Sequence, residues 1–338
     1  MRIAVIGPVW FPIPPAGYGG IELVVSLLAD GLVDAGHDVT LFASNGSRTK
    51  AKLAVTMDPP DPNELGNAWF DGLHALKSYL QVDGFDIVHD HAGVVGPVCG
   101  AMRRGNPPVV HTLHGPWTDN TRKFYELASR HIHLVAISDA QRRDNEDVPY
   151  AGTVHNGIDI SAYPYREDKD DFLIYIGRCN ADKGPKEAIT IARRAGFPLK
   201  MILKRGEAPE REYFEHEIEP LLASDVELFE NVSHELKVDL LGRARAMIFP
   251  IRWPEPFGLV MVEAMACGTP VVTTNWGAAP EVVDDGVTGF RRDGDDEMVD
   301  ALSKVPALSP AACRQRVEER FSAPAMVRGY EEVFSLLT

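Results

Sequence analysis

No stretch of this chain narrows its fold and chemistry more than PEPFGLVMVEAMACGTPVV, residues 254–272. It predicts a proline-framed loop, a short helix over about Phe257 to Cys267, a glycine stop and a buried strand, which is one loop–helix–loop–strand unit of an α/β sheet. Its polar content is unusual. Glu255 stands just ahead of the helix, and Glu263 lies inside an otherwise apolar helix, where an ionised carboxylate is costly unless something binds it. The helix start offers unpaired backbone N–H groups and the positive end of the dipole, a ready anion site. At helical rise the two carboxylates stand roughly 12 Å apart. That is wider than the about 5–5.5 Å of a retaining glycosidase or the about 6.5–9.5 Å of an inverting one. The spacing suits a long ligand with an anion in its middle and hydroxyls at both ends, as in ribose, diphosphate and hexose joined in a nucleotide-sugar.

The Glu-x7-Glu pattern within this segment resembles the signature of family 4 of the retaining glycosyltransferases, which have the GT-B fold of two Rossmann-like parallel-sheet domains facing a central cleft. The resemblance implies that Glu255 lies by the hydroxyls of the donor sugar and that Glu263 binds the ribose. It further implies that the backbone around Phe257, Gly258 and Leu259 holds the phosphates.

At 338 residues, 45% hydrophobic and 25% charged, the chain predicts two soluble globular domains, each with its own core. A formal charge of -15 disfavours nucleic acid, which is bound by clustered Lys and Arg, and disfavours an anionic membrane surface. Arg103-Arg104, Arg122-Lys123 and Arg142-Arg143 are the local basic pairs, and solvated faces account for them; peripheral membrane contact has no further support. Cys99, Cys179, Cys267 and Cys313 are scattered without a CxxC, so neither zinc nor a disulfide framework is expected. Reduced thiols, a first strand at the very start and no signal peptide or membrane-spanning run predict a cytoplasmic protein.

In chain order, RIAVIG (2–7) predicts a strand buried on both faces, and WFPIPPAGYGG (10–20) a loop. A helix follows whose apolar positions are Ile21, Val24, Val25, Leu28 and Leu32, and then the strand DVTLFA (38–43). This is a nucleotide-type βαβ unit, although the turn lacks the dinucleotide pattern GxGxxG. By resemblance, Gly19 and Gly20 close over the donor phosphate. Residues 44–84 are less regular, and the Pro- and Asp-rich DPPDPNE within them predicts a surface loop. DIVHDH (86–91) predicts a strand ending in His89, Asp90 and His91. A metal reading of those three is disfavoured, because consecutive strand residues point to alternate sides and no distant ligand set is evident. In PPVVHTLHGPW (107–117), His111 falls within the strand as a structural histidine, and His114 falls at its carboxyl edge. His114 matches the family histidine that faces the donor sugar. HLVAIS (133–138) predicts a strand leading to an N-cap at Ser138, and TVHNGID (153–159) the last strand and turn of the first half.

The proline-interrupted segment 160–171 predicts a domain boundary, with an amino-terminal acceptor domain over 1–162 and a donor domain over 163–320. Residues 321–338 are expected to form a helix returning to the first domain, with Met326, Tyr330, Val333, Phe334 and Leu337 at helical spacing. In the second half FLIYIG (172–177) predicts a strand, with Arg178 directly after it and Lys183 further on, two cations suited to a diphosphate. GRCNADKG resembles the family's diphosphate-binding motif. LKMILKRGE (199–207) departs from the family by placing Lys204 and Arg205 where small residues are usual, and Lys204 is a third candidate cation. VELFENVS (226–233), RAMIFP (245–250) and PVVTT (270–274) predict further strands; Glu281, in GAAPEVVDDGVTGF, either caps its helix or lines the cleft.

Breaking a sugar–diphosphate bond leaves negative charge on the β-phosphate, which fixed cations and a helix start stabilise best where water is excluded. Arg178, Lys183 and the amides near Gly258 are expected to take that part. Asp168-Lys169-Asp170 and Asp293-Gly294-Asp295 sit in a linker and a late turn, so no divalent metal or other cofactor is expected. The partners expected are a nucleotide-sugar donor, UDP-glucose first and GDP-mannose second, and a hydroxyl acceptor. The resemblance implies retention by front-face transfer. A nucleotide-sugar epimerase, a phosphorylase and an inactive nucleotide-sugar-binding protein are the competing readings.

Overall fold

The computed structural model describes residues 1–338 except Tyr18, Arg104 and Asn106, and for Pro62 the backbone alone. The tyrosine of the glycine-rich turn and the second arginine of the Arg103-Arg104 pair thus lie outside the described residues. The chain forms two compact units, Met1–Ile158 together with Ala323–Thr338, and Asp159–Ser322.

The amino-terminal unit holds a seven-stranded sheet. Its strands are β1 (Arg2–Ile6), β2 (Asp38–Ser44), β3 (Lys52–Met57), β4 (Ile87–Asp90), β5 (Val109–Leu113), β6 (His133–Ala136) and β7 (Tyr150–Thr153), in the order β3-β2-β1-β4-β5-β6-β7. Every pairing is parallel. Ile3, Ala4, Val5 and Ile6 are fully buried, which explains the apolar run of β1 after Arg2: none of the four meets water on either face of the sheet. The Gly20–Asp34 helix buries Val24, Val25, Leu28 and Leu32 as expected, but Ile21 in its first turn is 37% exposed. The carboxyl-terminal helix, Ala323–Ser335, belongs to this unit and buries Met326, Val327, Tyr330, Val333 and Phe334.

Residues 44–84 are more regular than their sequence suggests. They contain β3 and a helix at Ala68–Tyr79, whose first turn is capped by the Asn67 side chain accepting from Trp69 N at 3.2 Å. β3 is an edge strand with only Thr56 buried, so it has no apolar run to announce it. The helix carries exposed Trp69, Leu73 and Leu76 opposite its buried side, with exposed Leu80 as its C-cap, which blurs the stripe that marks an amphipathic helix. The TVHNGID segment is also corrected: β7 ends at Thr153, where the expected strand begins.

The carboxyl-terminal unit holds a six-stranded parallel sheet of β8 (Leu173–Arg178), β9 (Leu199–Lys204), β10 (Val226–Phe229), β11 (Ala246–Phe249), β12 (Val271–Thr273) and β13 (Gly289–Arg291), ordered β10-β9-β8-β11-β12-β13. The three-residue β13, which starts at the last two residues of GAAPEVVDDGVTGF, is too short to leave a pattern in the sequence. The signature helix runs Leu259–Ala266, and Met261, Val262, Ala264, Met265 and Ala266 on it are fully buried. Strand order reverses between β8 and β11 here, as it does between β1 and β4 in the other unit. In open α/β sheets ligands bind beyond the carboxyl ends of the strands at such reversals.

Candidate functional site

The loops after β8 and β11 flank the reversal in the carboxyl-terminal unit, and they are stitched together. After β8 the chain makes a single 3-10 turn, Ala181–Lys183, capped by the Asn180 side chain accepting from Lys183 N at 3.2 Å. Tyr175 of β8 donates its hydroxyl to the Lys183 carbonyl at 3.0 Å, and Arg252 N donates to Asp182 O at 2.7 Å. Gly184 has φ 68°, and a Cβ there would lie 2.1 Å from Pro250 O, so a side chain at this position would force the two loops apart.

This arrangement delivers Lys183 to Glu255. The Lys183 Nζ is hydrogen-bonded to Glu255 Oε2 and lies 4.3 Å from the centroid of the Trp253 ring. Trp253 Nε1 donates to the same carboxylate oxygen at 2.8 Å. The lysine and glutamate side chains are 16% and 12% exposed, dry enough for the pair to be strongly felt yet open at one edge. Ala278 N donates to Glu255 O at 2.9 Å and holds its backbone. Three residues on, Gly258 takes φ 86° as the N-cap of the signature helix, without a side-chain cap. A Cβ there would come 2.5 Å from Met261 Cε. The bare left-handed residue starts the helix at Leu259 rather than Phe257 and leaves its first N–H groups without a capping side chain. Phe257 itself is a packing residue, 2% exposed and 5.8 Å edge-to-face from Phe321.

Glu263, one turn into that helix, is 6% exposed. Its Oε1 accepts from Tyr163 OH and from Lys237 Nζ, each at 2.8 Å. Burial raises the Tyr163 phenol above its ordinary range, and the neighbouring Glu263 charge raises it further, so the hydroxyl stays protonated and donates. The carboxylate that looked costly is thus paired from two sides.

Arg178 closes β8 and stands in register with Lys204 at the end of β9. Two carboxylates hold its guanidinium: Nε donates to Glu210 Oε1 at 2.5 Å and Nη2 pairs with Glu207 Oε1 at 2.7 Å. Glu210 is buried and Glu207 is half exposed, so one partner is part of the scaffold and the other sits at the rim.

In the amino-terminal unit Gly19 caps the Gly20–Asp34 helix with φ 144°, and Gly20 is its first residue. His114 is half-buried past the end of β5. Its Nε2 lies 2.8 Å from His91 Nδ1, and the two rings are 5.1 Å apart. Burial, reinforced by the charge of His111, brings the His114 imidazole down to about 3, so it is neutral at ordinary pH. His91 packs on His89 at 4.2 Å between ring centroids, and burial pushes both well below the usual histidine range. Asp90 points to the other side, accepting from Tyr79 OH at 2.5 Å and from Ala92 N at 2.6 Å. His111 is within hydrogen-bond distance of Tyr125 OH, 3.1 Å. Among the described residues no group of three or more His, Cys, Asp or Glu is arranged to hold a metal ion. No helix among them is long and apolar enough to cross a membrane.

The structure brings Lys183, Glu255 and Gly258 together around one reversal point, with Arg178 and Lys204 at the adjacent strand ends. Sequence reasoning missed Trp253, Tyr163, Lys237, Glu207 and Glu210. Trp253 is the one with a local signal, an aromatic two positions ahead of Glu255 in a proline-framed loop.

Comparison with known proteins identifies the family and the fold. Residues 160–317 match the family model described as glycosyl transferases group 1, and residues 18–162 match that described as Glycosyltransferase Family 4. A phosphatidyl-myo-inositol mannosyltransferase from Propionibacterium freudenreichii is 27% identical over 86% of this chain and 81% of its own length. A glycogen synthase from Mycobacterium tuberculosis is likewise 27% identical, over 86% of this chain and 81% of its own. Among solved structures, AviGT4, a glycosyltransferase involved in avilamycin A biosynthesis, is 26% identical with a TM-score of 0.72, covering 100% of this chain and 98% of that one. Anabaena HepE, solved in complex with UDP-glucose, shares the fold at a TM-score of 0.76 over the whole of both chains with 22% identity. With two parallel-sheet units, and matches running almost end to end, the chain belongs to glycosyltransferase family 4 and is a hexosyltransferase of GT-B fold.

Proposed function

We propose that this glycosyltransferase moves a hexose from a nucleoside-diphosphate sugar to a hydroxyl acceptor with retention of configuration and without a divalent metal. The observation that carries the reading is the Lys183–Glu255 pair beside the Gly258-headed helix at the β8–β11 reversal. A diphosphate is bound by Lys183, Arg178 and the amides at Gly258 and Leu259, with Lys204 beside them; Glu255 accepts from the hexose hydroxyls and Glu263 from the ribose. In the amino-terminal unit, His114 is assigned to the donor sugar, and Gly19 and Gly20 to its phosphate. The sugar–oxygen bond to the β-phosphate breaks with its electron pair going to the phosphate. The acceptor oxygen bonds to the anomeric carbon on the same face, and its proton passes to the departing phosphate. Cations and amides stabilise the charge that develops, which is the largest service a site of this kind supplies.

The relatives include a mannosyltransferase and a glycogen synthase, so their names do not select the hexose. UDP-glucose is the first donor to test and GDP-mannose the second. A thermal-shift panel of UDP-, GDP- and ADP-sugars, run with and without EDTA, is expected to show stabilisation by one class that EDTA leaves unchanged. Stabilisation by none of them refutes the donor assignment, and a shift abolished by EDTA refutes metal independence.

A further inference from the structure

Glu263 is fixed more tightly than a ligand-binding side chain needs if it only has to be present. Both hydrogen bonds it receives fall on Oε1, one from Tyr163 OH and one from Lys237 Nζ. The donors are themselves immobilised. Tyr163 is 2% exposed, and its ring meets His234 edge-to-face at 5.4 Å. Its carbonyl accepts from Arg314 Nη1 at 2.6 Å, and the same nitrogen donates at 2.9 Å to Ala266 O, at the end of the signature helix. The segment carrying Tyr163 is therefore clamped to the helix carrying Glu263. Lys237 lies one turn after His234 on the His234–Arg243 helix, with Nζ 5.8 Å from the centroid of the Tyr163 ring. Two side chains from two separate segments thus converge on one carboxylate oxygen of a third.

We propose that Tyr163 and Lys237 are positioning residues for the nucleoside end of the donor: by occupying Oε1 of Glu263 they aim Oε2 at the 2′- and 3′-hydroxyls of a ribose. The inference rests on the assignment of Glu263 to the ribose. A carboxylate with one oxygen fixed has a single orientation to offer, so the hydroxyl pair meets an acceptor that needs no reordering.

The test is isothermal titration of UDP and GDP, taking whichever binds tighter, against its 2′-deoxy counterpart. Wild-type protein is expected to prefer the ribonucleotide by about 10-fold or more, the worth of one hydrogen bond to a charged group. Tyr163→Phe and Lys237→Met are expected to weaken the ribonucleotide by roughly 5- to 20-fold and the deoxynucleotide by about 2-fold at most, collapsing the preference. Lys237→Arg, which keeps the cation, is expected to retain it. General loosening of the fold would weaken both nucleotides alike, so the ratio separates positioning from stability. If Glu263→Gln abolishes the preference while Tyr163→Phe and Lys237→Met leave it intact, the positioning role is wrong and the ribose assignment stands. If wild type binds neither nucleotide, or the preference survives Glu263→Gln, the ribose assignment fails and the inference with it.

Discussion

Removing Lys183 separates its two roles. Lys183→Met leaves Glu255, whose side chain is 12% exposed, without its cation, while Trp253 Nε1 still donates to it at 2.8 Å. Breaking a buried ion pair by deleting one partner costs about 3–5 kcal/mol. The surviving tryptophan bond and the open edge put this case at the low end, roughly 3 kcal/mol. For a unit of this size that lowers Tm by about 6–12 °C. A charge-assisted hydrogen bond to the departing phosphate is worth about 1.5–3 kcal/mol, so donor turnover is expected to fall about 10- to 100-fold as well. The double variant Lys183→Met/Glu255→Gln removes the uncompensated charge. It is expected to recover at least half of the lost Tm and none of the lost turnover, read by thermal denaturation and by release of nucleoside diphosphate from whichever donor stabilises the wild type. Turnover returning together with Tm in the double variant would show that the pair serves the scaffold alone, and the assignment of Lys183 to the phosphate would be wrong.

Other outcomes follow from the same geometry. Glu207 competes with any phosphate for Arg178, so Glu207→Gln is expected to tighten nucleoside diphosphate binding about 2- to 5-fold at low salt, an effect that fades as ionic strength rises. Weaker binding in that variant would mean that Glu207 orients the guanidinium rather than masking it. Gly258→Ala, at φ 86° and with Met261 Cε 2.5 Å from the new Cβ, is expected to cost about 1–3 kcal/mol of stability and to weaken diphosphate affinity. His114 is neutral in the folded unit down to about 3, against 6.5 ordinarily, so over that window the unfolded chain binds the extra proton. Its contribution is complete above about pH 6.5 and is lost as pH falls toward 3. Thermal denaturation between pH 7 and 4 is expected to show a shallower acid slope in His114→Asn than in wild type; equal slopes would contradict the neutral imidazole.

Much of this architecture could be read without coordinates because parallel sheets covered on both faces leave unbroken apolar runs. RIAVIG and FLIYIG announce β1 and β8 for that reason, and the glycine stops bracket the helices between them. The edge strand β3 escapes the same reasoning, since Lys52–Met57 buries only Thr56. At the site, a carboxylate in the middle of VMVEAMA is visible because it violates the pattern around it. The groups that make it tolerable are invisible, because Tyr163 sits in a stretch that reads as a linker and Lys237 lies 26 positions away from Glu263 with nothing local to tie the two together. Only folding places either within 2.8 Å of Glu263. Glu207 and Glu210 are hidden likewise: nothing near Lys204 and Arg205 says that the next two glutamates turn back onto Arg178.

The claim on which the rest depends is that side-chain cations and helix amides of the carboxyl-terminal unit hold the donor's diphosphate without a divalent metal. Calorimetric titration of UDP and GDP into the full chain in excess EDTA, beside Arg178→Ala and Lys183→Ala, tests it most directly. The account predicts binding of one nucleotide in EDTA, unchanged by added magnesium, and at least about 10-fold weaker in each variant. Binding that appears only with magnesium, or that survives in both variants, would contradict it.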